Sequence, residues 1–316
     1  MNLLNIVIPD RLIGQRIDSA LAVMLPDYSR SKITSWVRAG KALVNDKTFK
    51  AKEKVLGGEV VALTIEKEKT NAWLGEDIAI DVVYEDEDII VVNKPVGLVT
   101  HPGAGNWTGT LANALLHYDP SLANLDRAGI VHRLDKNTSG LMVVARSELA
   151  QKNLVEQLQT HAVSREYSAI VYGHMISGGT VDAPIGRDPK DRIRQAVAEE
   201  GEGKDALTHY RVIDRFAHHT HVKCILETGR THQIRVHMAH IEHPLIADPM
   251  YGGKIRFPKK AEEALKDVLK GFNRQALHAK KLTLMHPISG EEMSWKAPLP
   301  KDLDDLLKAL AKFDPI

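Results

Sequence analysis

The sequence contains one cysteine, Cys224, so no internal disulfide can form, which fits a reducing, cytoplasmic setting. Long apolar runs are missing as well. None approaches the ~18 residues that a membrane-spanning helix needs, so no membrane partner is expected. The first twenty residues carry Asp10, Arg11, Arg16 and Asp18 and do not read as a cleavable secretion signal. No G-x-x-x-x-G-K-[ST] loop and no D-F-G element occurs, which removes the parts that phosphoryl transfer requires. H-E-x-x-H and paired C-x-x-C motifs are absent too, so no metal site is expected. Histidines do crowd at His218, His219, His221 and at His237, His240, His243. Without those motifs they read as surface or partner-facing groups.

What is present is an ordinary globular composition, 43% hydrophobic and 26% charged, which argues against bulk disorder. A length of 316 residues suggests two or three domains at about 150 residues each. The net charge of +1 hides an asymmetry: residues 11–54 hold ten Lys/Arg against four Asp/Glu. A basic block on a near-neutral chain points to a polyanion contact, because phosphate neutralisation supplies most non-specific nucleic-acid affinity. A solvated lysine-rich face would look similar.

In that block, Ile17, Leu21, Met24 and Leu25 share a helical stripe, and Pro26 stops the helix. Ser29 reads as the N-cap of a second helix that buries Ile33, Trp36 and Val37. Arg30, Lys32 and Arg38 lie on its other face. A short strand at Leu43-Val44, a turn at Asn45-Asp46 and a β-rich run from Val60 to Ile65 complete a small α/β unit. Gln15 to Asp18, Tyr28 to Ile33, Gly40, Val44 to Asp46 and Gly58-Glu59 resemble the RNA-binding domain named after ribosomal protein S-four. That resemblance implies that the basic helices meet structured RNA. Residues 66–71 are charged and lack apolar periodicity, so they read as a linker between domains at 1–75 and 76–316.

The second domain mixes strands and helices without strict alternation, which argues for an α+β layer fold. Strands are expected at Ile89 to Val92, Leu141 to Ala145, Tyr167 to Tyr172, His209 to Ile213 and Val222 to Glu227. Helices are expected at Asn113 to His117, Ala150 to His161, His232 to Ile241, Lys260 to Leu269 and Leu303 to Leu310. The sharpest segment runs from Ala128 to Gly140. Its residues Asn137 to Gly140 are turn formers, which puts Asp135 on a loop just before a buried strand. Loops held by rigid scaffolds commonly carry reactive groups, although an Asp before Asn-Thr-Ser-Gly can also be only a turn former. In Glu227 to His237, a strand ends at a Thr-Gly turn and Thr231 is expected to cap the following helix. Two further segments are Ser164 to Ala169 and Asn93 to Gly103.

These four segments, in this order, resemble the RluA-type pseudouridine synthase family, and with the small domain included they sit closest to its D branch. The resemblance spans residues 10 to 300. It implies a pseudouridine synthase fold with a mixed, mainly antiparallel sheet flanked by helices. It also implies isomerisation of uridines in large-subunit (23S) ribosomal RNA, or in a pre-ribosomal particle, by a monomer that needs no cofactor. Asp135 would be the catalytic carboxylate and Arg235 its counter-ion. Tyr167 would stack on a flipped base, and Arg133 would fill the space the base leaves. A carboxylate in a water-excluding pocket needs a permanent cation to stay ionised, and arginine cannot deprotonate. Further RNA contacts are expected from Arg187 and Arg192 on a basic loop and from Arg230. The residues alone leave open a pure RNA-binding assembly factor, or the same chemistry on tRNA.

Overall fold

Alternating and helical apolar patterns condense into two compact units, Met1–Lys69 and Thr70–Ile316. The computed structural model describes residues 2–316 except 26, 27, 29, 46, 66–72, 104, 192, 200 and 260, with the side chains of 2, 3, 31, 32 and 65 also left aside. The Ser29 cap, the turn position Asp46, the 66–71 linker, the Lys32 side chain and Arg192 therefore lie outside the described residues.

In the smaller unit, strand β1 (Asn2–Val7) precedes helices α1 (Ile17–Met24) and α2 (Arg30–Arg38). Strands β2 (Ala42–Val44), β3 (Lys47–Thr48) and β4 (Val60–Ile65) follow. They form an antiparallel sheet in the order β1-β4-β2-β3. Ile17, Leu21, Ile33, Trp36 and Val37 are buried against Val61 and Leu63, so both helices turn their expected stripes inward. Tyr28 meets Trp36 edge-on at 4.9 Å. Truncating a buried tryptophan to alanine costs roughly 3–5 kcal/mol, so Trp36 anchors this small core.

The larger unit begins with β5 (Val82–Glu85), β6 (Ile89–Lys94), α3 (Leu111–Tyr118), β7 (Ser139–Ala145) and α4 (Glu148–Gln159). Next come β8 (Ser164–Tyr172), β9 (Gly179–Asp182), β10 (Ile185–Arg187), β11 (Gln195–Val197), β12 (Leu207–Arg215) and β13 (His219–Leu226). The chain closes with α5 (Gln233–His240), α6 (Glu263–Gly271), β14 (Leu277–Met285), β15 (Glu292–Lys296) and α7 (Lys301–Phe313). One large sheet runs β5-β6-β7-β14-β8-β13-β12-β9, with β15 on β14. Only the short β7–β14 pairing is parallel; the rest is antiparallel. The fold is α+β.

Caps explain where the helices start. Thr110 and Asn113 form a reciprocal capping box at α3, and Ser147 Oγ accepts the Ala150 N–H at α4. In α7, Leu303, Leu306 and Leu310 are fully buried and pack with Leu265 and Leu269 of α6. The sequence pattern does not reveal β14, although it lies near the middle of the sheet. A register shift between Ala279 and Lys281 breaks the two-residue alternation on which strand reading depends. On β13, Cys224 faces Tyr167 of β8 across the ladder and is fully buried. Among the described residues, no helix is long and apolar enough to cross a membrane.

Candidate active site

The segment before β7 is fixed by its backbone. The Asp135 carbonyl accepts the Thr138 N–H at 3.0 Å, closing a turn. Thr100 Oγ1 donates to the Leu134 carbonyl at 2.8 Å, and the Gly97 N–H donates to that of Lys136 at 2.9 Å. Lys94 is almost wholly buried, and its ammonium donates to the carbonyls of Pro95, Leu98 and Lys136. Burial pushes Lys94 down to about 7, with Asp135 opposing that shift. Gly140 has φ +117°, and a Cβ there would collide with the Ala279 carbonyl. Only glycine lets β7 lie against β14 at this point, and this close approach sets where the Asp135 turn sits.

Arg235, on the first turn of α5, reaches the same place from the other side. Its Nη1 donates to Asp135 Oδ2 at 3.0 Å. Nε and Nη2 donate to the two oxygens of Asp248 at 2.7 and 2.9 Å. Asp248 is fully buried and also accepts the N–H groups of Met250 and Tyr251. Burial alone would raise the Asp248 carboxyl, but Arg235 and these backbone donors outweigh it and hold it below the ordinary range. Burial likewise pulls on Arg235, and Asp248 with Asp135 behind it more than compensates, so its guanidinium is held above its ordinary value. The bidentate grip fixes the guanidinium plane and leaves one edge for Asp135.

His232 occupies the N-cap position of α5 with φ +59° and makes no capping hydrogen bond with its side chain. Thr231 is therefore not the cap. Just ahead of the helix, the Gln233 side chain accepts the Arg230 N–H at 2.9 Å. His232 Nε2 lies 3.7 Å from Asp135 Oδ1, and its Nδ1 lies 2.9 Å from the Tyr251 hydroxyl. Burial holds this imidazole below its ordinary value.

Asp135, Arg235, His232, Tyr167, Arg165 and Arg230 line one cavity of about 510 Å³, within the ~300–1,000 Å³ usual for small-molecule sites. Asp135 is the carboxylate in this lining, with 18% of its side chain exposed. The cavity thus offers a partly exposed carboxylate with a fixed counter-ion, an aromatic side chain and several cations. That combination suits general base or nucleophilic chemistry on an aromatic, anionic substrate.

Residues 88–240 match the family model described as RNA pseudouridylate synthase. Over 308 residues the chain is 56% identical to ribosomal large subunit pseudouridine synthase D of Escherichia coli strain K12, covering 97% of this chain and 94% of that protein. It is 51% identical over 304 residues to the protein of the same name from Xanthomonas campestris, covering 96% and 91%. The chain belongs to the RluA-type RNA pseudouridylate synthases. Among solved structures of this kind, human RNA pseudouridylate synthase domain containing 4 is 26% identical, with a TM-score of 0.58 over 73% of this chain and 93% of that one. Human RNA pseudouridylate synthase domain containing 1, at 24% identity and a TM-score of 0.54 over 77% and 99%, shares the fold.

In this pseudouridylate synthase, Asp135, Arg235, Tyr167, Arg133 and Arg230 surround one cavity. Tyr167 is buried, and burial raises its phenol. Arg133 is exposed, and Arg230 Nε donates to the Asp205 carbonyl at 2.9 Å. Arg187 stands apart on the β10–β11 hairpin, so the expected loop is a paired hairpin whose tip spans 188–194. Arg30 and Arg38 belong to the smaller unit. There Arg30 Nη2 lies 3.3 Å from buried Asp18, and Arg38 lines a shallow depression with Arg16, Lys50 and Lys52.

Sequence reading missed four groups. Asp248 stands in an Asp-Pro pair that reads as a turn, and Tyr251 follows it in the same turn. His232 stands out in the sequence only as part of its motif. Arg165 is buried, and its Nε has no hydrogen-bond partner among the described residues. Its guanidinium lies so near Gly229 that a Cβ there would sit 2.6 Å from Nη1. The surface reading of the clustered histidines holds for His218 and His240, which are exposed, and is corrected for three others. His219, His221 and His237 are buried; they bond to Asp314, to Asp214 with Ser168, and to Thr208 with the Ala183 carbonyl. Each ring has a hydrogen-bond partner within the protein, as buried polar groups require. Away from the cavity, Asp86, Asp88 and His286 bring ligand-type atoms within 4.8 Å of one another. Asp86 already accepts from the Tyr84 hydroxyl and from the N–H groups of Asp88 and Ile89.

Proposed function

We propose that this protein converts specific uridines of large-subunit ribosomal RNA to pseudouridine, with Asp135 as the reacting carboxylate. The observation that carries this reading is the Asp135–Arg235–Asp248 chain at the cavity. It holds a partly exposed carboxylate against a fixed guanidinium, where a substrate can reach it. The names of the relatives at 51–56% identity support the choice of RNA.

The target uridine leaves its stack and enters the cavity, where the ring of Tyr167 offers a stacking face. Arg133, exposed beside Asp135, takes the place the base leaves. Asp135 acts on the sugar, on the base or on a ribose proton. The N1 glycosidic bond breaks, the uracil rotates and C5 bonds to the sugar, losing its proton while N1 regains one. Nothing is oxidised and no cofactor is consumed. Arg230, Arg187 and Arg192 contact the RNA around the site. Domains at 1–75 and 76–316 divide the labour, and Arg30, Lys32 and Arg38 of the first deliver the RNA by raising its local concentration. The protein acts as a monomer in the cytoplasm, on free rRNA or a pre-ribosomal particle.

The test uses large-subunit rRNA carrying tritium at uridine C5, since isomerisation releases that tritium to water. Asp135→Asn should reduce release by roughly 10³-fold or more, the scale expected for losing a reacting group, with RNA affinity retained. Activity within tenfold of the unaltered protein would sink the assignment.

A further inference from the structure

Tyr251 stands between the basic β10–β11 hairpin and the two residues that face Asp135, His232 and Arg235, and it touches both sides. The Arg194 and Arg235 guanidinium groups both lie over its ring, 5.3 and 5.0 Å from the centroid. Its hydroxyl oxygen accepts the Gln195 N–H of β11 at 3.0 Å. With that oxygen accepting, the hydroxyl proton is free for His232 Nδ1, 2.9 Å away. A neutral imidazole that accepts at Nδ1 carries its proton on Nε2, the nitrogen 3.7 Å from Asp135 Oδ1.

Two routes therefore run from the hairpin to Asp135. One passes through the phenol and His232, the other through the ring and Arg235. Two further features mark this path as more than packing. His232 holds a left-handed backbone conformation, which costs a non-glycine residue energy and persists only where its surroundings enforce it. Arg194 Nε is buried and has no hydrogen-bond partner among the described residues, so the Tyr251 ring is what holds this guanidinium.

We propose that Tyr251 is a positioning residue through which RNA bound at the β10–β11 hairpin sets the geometry of Asp135. The hairpin carries Arg187, Lys190 and Arg194, cations suited to phosphate. When phosphate draws on Arg194, the load passes to the Tyr251 ring and to Gln195, its neighbour in the chain. The proposal rests on the rRNA reading above for its substrate only.

The test is single-turnover tritium release from C5-labelled large-subunit rRNA at saturating protein, with RNA affinity measured separately by filter binding. Tyr251→Leu should slow the chemical step by about 10²-fold, the scale of an ångström's misplacement of a reacting group, with affinity unchanged. Tyr251→Phe keeps the ring and loses the phenol bonds, so it should recover most of the rate and remain up to about tenfold slow. Arg194→Ala should slow the intact protein but add nothing in the Tyr251→Leu background, because the path is already cut. A leucine variant at full rate, or losses that simply multiply in the double variant, overturns the proposal. If the leucine variant does not fold, the phenylalanine variant decides: full rate there overturns the phenol route. An unaltered protein inactive on this RNA refutes the substrate reading instead, and the same pattern of rates is then demanded on total cellular RNA.

Discussion

Asp18 in the smaller unit and Asp248 in the larger one are both buried carboxylates gripped by arginine, yet the arginines differ. Arg16 and Arg30, which hold Asp18, keep 49% and 55% of their side chains exposed. Arg235 keeps 6%. Burial raises the Asp18 carboxyl, and Arg16 with Arg30 behind it more than offsets this, leaving it below the ordinary range. In the smaller unit the buried carboxylate orders two cations that still face water and can meet a phosphate. In the larger unit the same pairing draws its cation inside, where its remaining edge serves one partner, Asp135. Histidine divides the units as sharply. All fifteen lie between His101 and His286, and residues 1–69 hold none.

The comparison breaks hardest at Asp248. Asp248→Ala leaves Arg235 buried and half-paired, so it should cost ~3–5 kcal/mol in denaturant unfolding and most of the activity. Asp18→Ala should leave the chemical rate intact. Equal losses of rate in the two variants would mean that the smaller unit shapes the active site.

A second test concerns the exposed cations. Arg30→Glu with Arg38→Glu should weaken RNA binding and reduce its log–log salt slope by about 0.7–0.9 for each phosphate that is no longer neutralised. The rate at saturating RNA should not change. An unaltered slope would make this face a solvated one.

The smallest expected effect is a difference in acid tolerance. Burial pushes His278 down to about 4 and His132 down to about 3. The unfolded chain takes up protons near pH 6.5 while the native rings stay neutral, so stability falls as pH drops below ~6.5. That loss accumulates until each folded value is reached. Asp18 is depressed instead, so its contribution persists above about pH 4 and fades only below it. Hydrogen exchange at pH 7 and pH 5, corrected for intrinsic rates, should show weaker protection in the larger unit alone. His278→Gln should flatten part of that trend; equal weakening in both units would show that histidine burial is not the cause.

Local chemistry placed the site's segments, and the resemblance of those segments to a known family supplied the roles of Asp135, Arg235 and Tyr167. Asn137 to Gly140 forces a turn before a run of apolar residues, so Asp135 could be placed on a loop at the head of β7. The polar crowding at 229–237 marked the start of α5 to within one or two residues. The cap itself was misassigned, because a left-handed turn at His232 starts the helix one residue later than Thr231 would. Asp248 and Tyr251 were hidden for a related reason. Asp248 meets Arg235 across thirteen residues of chain, and Tyr251 meets His232 and Gln195 across nineteen and fifty-six; Asp-Pro by itself signals only a turn. The β14 strand was lost to its bulge, and the buried histidines to partners such as Asp314 that lie far away in sequence.

Cys224 gives this molecule an internal stopwatch. The thiolate is the species that reacts, and burial between β8 and β12 pushes this thiol up to about 12. An alkylating reagent at neutral pH must therefore wait until the sheet parts. Because the chain has a single thiol, each modified molecule records one such opening, and the labelling half-life reads out how often the sheet beneath Tyr167 comes undone.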